Sequence, residues 1–214
     1  MKDSSILKNE LIFDFAAGNT NLSKSLLAST YLFLNSAESS LYSEFNNYCG
    51  EELKNSKQIQ PAKLVSNDCI SSKKFKTHAS KTRLKNPLHN FIKNINDIKW
   101  KKIFTGFYEY SINNTSLKNI KLIKMNPGTK VPLHSHNGKE YILVLEGSFC
   151  DEFGIYSKGD LQINDYKIKH TPVACNDEGC VCLTVTEEDL VFYGPFAPLL
   201  NIVTFIKSIF LNKL

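Results

Sequence analysis

The sequence predicts an α+β multidomain protein: a small N-terminal helical module followed by an all-β barrel or sandwich. Three observations predict it. Apolar residues recur at helical spacing within residues 9–53. From about Pro87 onward, short β-branched or aromatic runs are punctuated by turn residues. Between the two lies a polar stretch rich in lysine, serine and asparagine, residues 54–86.

In "NELIFDFAAG" the apolar positions Leu11, Ile12, Phe15 and Ala16 fall at helical spacing, and Gly18 offers a stop. "NLSKSLLASTYLFLNSAESSLYSEFNNY" continues with Leu22, Leu26, Leu27 and Leu34, then Leu41 and Phe45; the turn-like "NSAES" separates two helices. Residues 54–86 read as a basic polar linker that lets the two parts act semi-independently, with room for a short helix or strand around Pro61–Val65. The strands expected in residues 87–214 are "IKWKKIF", "FYEYSI", "IKLIKM", "YILVLEG", "SFCDE" and "VCLTVTE". Turns are expected at Asn126-Pro127-Gly128, Glu146-Gly147 and Lys158-Gly159-Asp160.

Of the 214 residues, 42% are hydrophobic, enough for one core plus a small helical module. The N-terminus lacks the apolar run of a signal peptide. The apolar tail "LVFYGPFAPLLNIVTFIKSIFL" is cut by Gly194, Pro195, Pro198 and Lys207, which predicts a packed strand and a short helix rather than a membrane span. The six cysteines form no CxxC ladder, which predicts reduced thiols and a cytoplasmic protein. Charge is uneven. Residues 1–53 hold three lysines against seven acids, residues 54–86 nine bases against Asp68, and residues 87–214 fourteen bases against thirteen acids. A basic linker is expected to be solvated, so neither nucleic acid nor membrane is an expected partner. Arg83 is the only arginine among abundant lysine, asparagine and isoleucine, the bias of an AT-rich genome.

Two of the five histidines stand one residue apart in "VPLHSHNGKEYILVLEG". On a strand, His134 and His136 face the same side. Glu140 opens the next apolar strand, which could run antiparallel beside the first and bring its carboxylate to them. A fourth ligand must come from elsewhere, and His170 in "KIKHTP" is the candidate. Three imidazoles and one carboxylate suit one divalent metal: zinc by preference, with iron and manganese as alternatives. An HxH pair alone does not distinguish such a site from two surface histidines beside an unrelated glutamate. His78 and His89 lack ligand spacing.

The wider spacing bears on that choice. Gly128, five residues, His134-Ser135-His136, three residues, Glu140, six residues and Gly147 together resemble the first cupin motif. Gly159 and His170 keep the spacing of the second, although Asp165 and Lys167 stand where a proline and a glycine are usual. This resemblance implies a cupin (double-stranded β-helix) barrel. "VPLHSHNGKEYILVLEGSFCDEFGIYSKGDLQIND", "HTPVA", "GCVCLTVTE", "IKWKKIFTGFYEYSI" and "YGPFAPLLN" together resemble the C-terminal domain of ChrR-type anti-sigma factors. The N-terminal "LIFDFAAGNTNLSKSLLASTYLFL" is similar to that family's anti-sigma helices. The resemblance implies a transcriptional regulator rather than an enzyme. Its helices would sequester an extracytoplasmic-function sigma factor, and its metal-binding cupin domain would take part in stress-responsive release, typically oxidative. A metal-dependent, dioxygenase-like cupin enzyme is the alternative, and a structural metal cupin without a transcriptional partner the third.

The chain departs from that family at one place. The N-terminal HxxxCxxC zinc motif aligns with "YLFLNSAE", so Tyr31, Asn35 and Glu38 replace the histidine and both cysteines, and Ile6 the upstream histidine. Residues 1–77 contain no histidine, and Cys49 is the only cysteine of the helical module. Sigma binding without zinc would rest on apolar helix faces, with Leu11, Phe15, Leu27 and Phe33 as candidates; the same residues also suit an internal core. Cys180 and Cys182, two apart in "GCVCLTV", match a paired-cysteine position of the family and are candidate redox thiols, or small residues filling a barrel core. Cys150 and Cys175 are single thiols without an evident partner, and Phe149, Phe153 and Tyr156 read as barrel packing.

Overall fold

A computed structural model describes residues 4–56, 86–92, 95–112, 116–195, 197–198 and 201. The element expected around Pro61–Val65, the rest of the linker with His78 and Cys69, and the expected C-terminal helix beyond residue 201 lie outside the described residues.

Three helices come first: α1 (Ser4–Ala16), α2 (Leu22–Leu34) and α3 (Ser39–Asn55). Gly18, at φ 75°, turns the chain out of α1. Asn21 caps α2, its side chain accepting from the Lys24 N–H at 2.9 Å. The "NSAES" turn is a 3-10 turn over Ser36–Glu38 between α2 and α3. Helix α2 buries Ser23, Leu26, Leu27, Ala28, Thr30, Tyr31 and Leu32. That is wider than one amphipathic stripe, because α2 is packed on two sides.

Ten strands follow: β1 (Lys101–Phe104), β2 (Phe107–Ser111), β3 (Ile120–Met125), β4 (His134–His136), β5 (Glu140–Asp151), β6 (Gly154–Ser157), β7 (Leu161–Asn164), β8 (Val173–Ala174), β9 (Cys180–Thr186) and β10 (Leu190–Phe192). All pairings are antiparallel. The main sheet runs β1-β2-β3-β9-β5-β6, β7 and β8 also pair with β5, and β4 pairs with β10. Two expectations need correction. Strand β5 does not run beside β4; it pairs with β6, β7, β8 and β9. Glu146-Gly147 is not a turn either, because β5 continues through it to Asp151. The pairing with β9 shifts register between Val144 and Glu146, a bulge that bends one long strand into service on both sides of the barrel. Gly147 sits there at φ 65°, where a Cβ would collide with the Gly179 carbonyl oxygen.

Strand β9 and the first half of β5, residues 140–145, are buried on both faces. Ile142, Val144, Cys180 and Cys182 turn inward with Phe107, Met125, Phe149 and Ala174. Tyr141, Leu143, Leu145, Val181, Leu183 and Val185 turn outward and join Leu7, Leu11, Ile12, Leu26, Leu27, Ala28, Tyr31 and Leu32 of the helices in one apolar cluster. Polar contacts close the seam. The Ser23 hydroxyl donates to the Lys118 carbonyl at 2.7 Å and accepts from its N–H at 3.0 Å. Lys139 meets Glu10 at 3.1 Å, and Lys24 pairs with Glu187. The helices and barrel are therefore not the semi-independent parts expected: the outer face of the sheet is apolar and must be covered. None of the described helices is long and apolar enough to cross a membrane.

Candidate metal centre

Strand β4 sets His134 and His136 on one face of a two-stranded ribbon, with His134 opposite Phe192 and His136 opposite Leu190. His170 bridges to the other side of β4. The His170 N–H donates to the His134 carbonyl at 3.0 Å, and the His134 N–H to the His170 carbonyl at 3.2 Å. Glu140 arrives from the first residue of β5. One ligand atom from each of the four lies within 4.8 Å of the others, and all four side chains are buried. The turn before His170 forms without the usual proline and glycine. Asp165 accepts the Lys167 N–H on its side chain at 2.9 Å and the Ile168 N–H on its carbonyl at 3.1 Å.

The hydrogen bonds outside the cluster decide its chemistry. The Pro132 carbonyl takes the Nδ1 proton of His134 at 2.8 Å, and the Asp151 carboxylate takes that of His170 at 2.9 Å. Both Nε2 atoms then turn lone pairs inward, 3.1 Å apart, and the Asn164 amide stands 3.5 Å from that of His170 as a long donor. His136 Nε2 is 3.3 Å from His170 Nε2 and 3.2 Å from Glu140 Oε2. Lone pairs so placed repel unless a cation sits among them. A proton is disfavoured: burial first, then the His170 imidazole, lowers His134 to about 4, and burial with His134 and His170 lowers His136 to about 3. A metal ion fits. Ligands about 2.1 Å from a tetrahedral zinc stand roughly 3.3–3.4 Å from one another, near the 3.1 to 3.3 Å spacings among the imidazoles and Glu140; His170 to Glu140 is longer at 3.8 Å.

Burial raises Glu140, and His170 with a 3.4 Å hydrogen bond from Asn164 offsets only part of that rise. Burial would also raise Asp151, but hydrogen bonds from His170, Gln162 and the Phe153 N–H outweigh it and hold the carboxyl lowered. Asp151 thus fixes the His170 tautomer and steadies its ring. His136 differs: its Nδ1 is buried with no hydrogen-bond partner. Neither Asp151 nor Asn164 is legible as a site residue in sequence. Each closes an ordinary strand, and only the register of β5 and β7 delivers them.

Cys180 and Cys182 lie inside the barrel, buried. A hydrogen bond with Cys180 and burial keep Cys182 a thiol well above its ordinary pKa. Phe149 is buried against Tyr156, as expected of packing, whereas Phe153 is exposed. Of the helix candidates, Leu11 and Leu27 are core, Phe15 is half-buried and stacked on Tyr42 at 5.4 Å, and Phe33 is exposed. Tyr31 is buried, and burial with Glu38 and Asp160 pushes its hydroxyl up to about 12. Asn35 donates to the Gly159 carbonyl of the barrel at 2.9 Å. Two of the positions that would carry zinc ligands in the resembled family thus serve the seam between helices and barrel.

Comparison with known proteins agrees with this geometry. The family model described as the ChrR cupin-like domain matches residues 89–188. That stretch, just under half of the chain, is similar to a ChrR cupin-like domain. Within the curated proteins, the anti-sigma-E factor ChrR of Cereibacter sphaeroides is 33% identical over 107 residues, 50% of each chain. The chain thus aligns with about half the length of that relative. Among solved structures, a chain from the crystal structure of Rhodobacter sphaeroides SigE in complex with the anti-sigma ChrR superposes with a TM-score of 0.70 at 26% identity, covering 84% of this chain and 96% of that one. The likeness to ChrR therefore reaches beyond the cupin-like domain into the helices that cover it.

Proposed function

We propose that this chain is an anti-sigma factor that sequesters an extracytoplasmic-function sigma factor through its N-terminal helices, while the ChrR-like barrel holds a divalent metal, zinc by preference, and takes part in stress-responsive release. The observation that carries the reading is the likeness to the ChrR complex structure across 84% of the chain, helices included. In this reading the helices bind sigma without zinc. Leu11 and Leu27 hold the module together, and the contact falls to exposed apolar side chains such as Phe33, Ile6, Tyr48 and Leu53. Acidic helices facing a basic DNA-binding partner would speed association more than tighten it.

A regulator, not an enzyme, is the reading we favour. A cavity of about 450 Å³ on the barrel is lined by Trp100, Lys124, Glu146 and Glu178 among others, and by none of the four ligands. The test is co-purification of the full-length protein with the sigma factor encoded beside it. A stoichiometric complex that Phe33→Asp weakens supports the reading. Failure to bind any extracytoplasmic-function sigma factor of the same organism refutes it.

A further inference from the structure

The two inward cysteines are not the only thiol pair of the barrel. Cys150 lies in β5 opposite Val173 of β8, and Cys175 follows β8, its N–H donating to the Ser148 carbonyl at 3.0 Å. Residues 173 and 175 share a face, so Cys175 stands diagonally across from Cys150 on the same side of the ladder. Cys175 is the side chain that acts most on the Cys150 thiol after burial itself. Both are half-exposed, whereas Cys180 and Cys182 are buried. The two pairs thus differ in geometry and in access. Cys180 and Cys182 are neighbours on one strand, a poor disulfide geometry; Cys150 and Cys175 lie on paired strands.

We propose that Cys150 and Cys175 form the peroxide-oxidisable dithiol of the barrel, closing to a disulfide that staples β5 to β8. One thiolate sulfur attacks the O–O bond of a hydroperoxide; that bond breaks, releasing water or an alcohol and leaving a sulfenic acid. The second thiol displaces the sulfenic hydroxyl as a second water, and the S–S bond forms. The two sulfurs lose two electrons and the peroxide gains them. Burial, Cys175 and Asp151 push the Cys150 thiol up, which makes it the poorer first nucleophile and leaves the attack on peroxide to Cys175. The staple would join the segment carrying Asp151 to the one carrying His170, whose side chains already meet at 2.9 Å. The assignment is independent of sigma binding.

The experiment uses reduced full-length protein freed of reductant, treated with hydrogen peroxide, then denatured, alkylated, digested and analysed by mass spectrometry. The expected product is an intramolecular peptide pair linked through Cys150 and Cys175, reversed by dithiothreitol, with Cys180 and Cys182 recovered alkylated. Cys150→Ser, conservative at a half-exposed site, should abolish the linked peptide and leave on Cys175 a sulfenic acid that dimedone traps. Free thiols at both positions after treatment, separate sulfinic acids without a link, or a disulfide through Cys180 or Cys182 instead would overturn the assignment.

Discussion

Strands β5 and β9 present two faces that the molecule uses in different ways. Inward, Glu140 of β5 completes a buried group of four side chains able to hold a metal ion, and Ile142, Val144, Cys180 and Cys182 pack in one apolar cluster on that side. Outward, Tyr141, Leu143, Leu183 and Val185 lie under the helices. The inner face is held by a few directed contacts, each to a named atom. The outer face is held by area, with only a handful of polar ties along its edge. The difference teaches what each face tolerates: one misplaced atom matters inside, and lost volume matters outside.

The largest effect is expected at the outer face. Leu27→Ala leaves a hole in a fully buried position shared by helices and barrel and should cost about 2–5 kcal/mol in denaturant unfolding. If the seam is one core, helix circular dichroism and the fluorescence of Trp100, the only tryptophan, should report a single coincident transition. Helices that melt ahead of Trp100 would break the comparison. An intermediate effect is expected inside. Asp151→Asn leaves the backbone intact but removes the carboxylate that holds the His170 proton. Zinc affinity, measured against a chromophoric chelator, should fall about 10–100-fold, and unchanged affinity would reduce Asp151 to packing.

The smallest effect belongs to the seam's edge. Burial would raise Glu187, but hydrogen bonds from Lys24 and the Lys139 N–H, together with both lysine charges, outweigh it and the carboxyl is lowered. Its folded pKa lies below its unfolded value. The contribution is therefore present above the unfolded carboxylate range and lost as pH falls through the folded value. Glu187→Gln should cost under about 1 kcal/mol near neutral pH, and its thermal stability should converge with that of wild type in acid. A deficit that persisted or grew in acid would assign the loss to shape rather than charge.

The inner face was legible in sequence because its signal is local. His134, Ser135 and His136 carry their own period, Glu140 follows at a set distance, and Gly128 marks the turn, whereas Gly147 reads as a turn and is a bulge. Its supports were not legible, because Asp151 and Asn164 reach His170 and Glu140 only through strand register. The outer face leaves a trace of its own. "YILVLEG" is apolar at every position from Tyr141 to Leu145, which is how a strand buried on both faces reads. The seam between helices and barrel is not legible, because nothing in "LSKSLLASTYLFL" says which of its apolar faces meets another helix and which meets a sheet. The pairing of Cys150 with Cys175 escaped for the same reason as Asp151: twenty-four residues separate them, and only the β5–β8 register brings them together.

His134, His136, Glu140 and His170 are proposed to hold one metal ion inside the barrel. Elemental analysis of the full-length protein, purified from cells grown with zinc and dialysed against metal-free buffer, tests it most directly beside the His134→Ala/His136→Ala variant. About one equivalent of metal per wild-type chain is expected, with none in the variant and a lower melting temperature when the metal is stripped from wild type. Full occupancy in the variant, or a wild-type protein that neither holds metal nor gains stability from it, would contradict it.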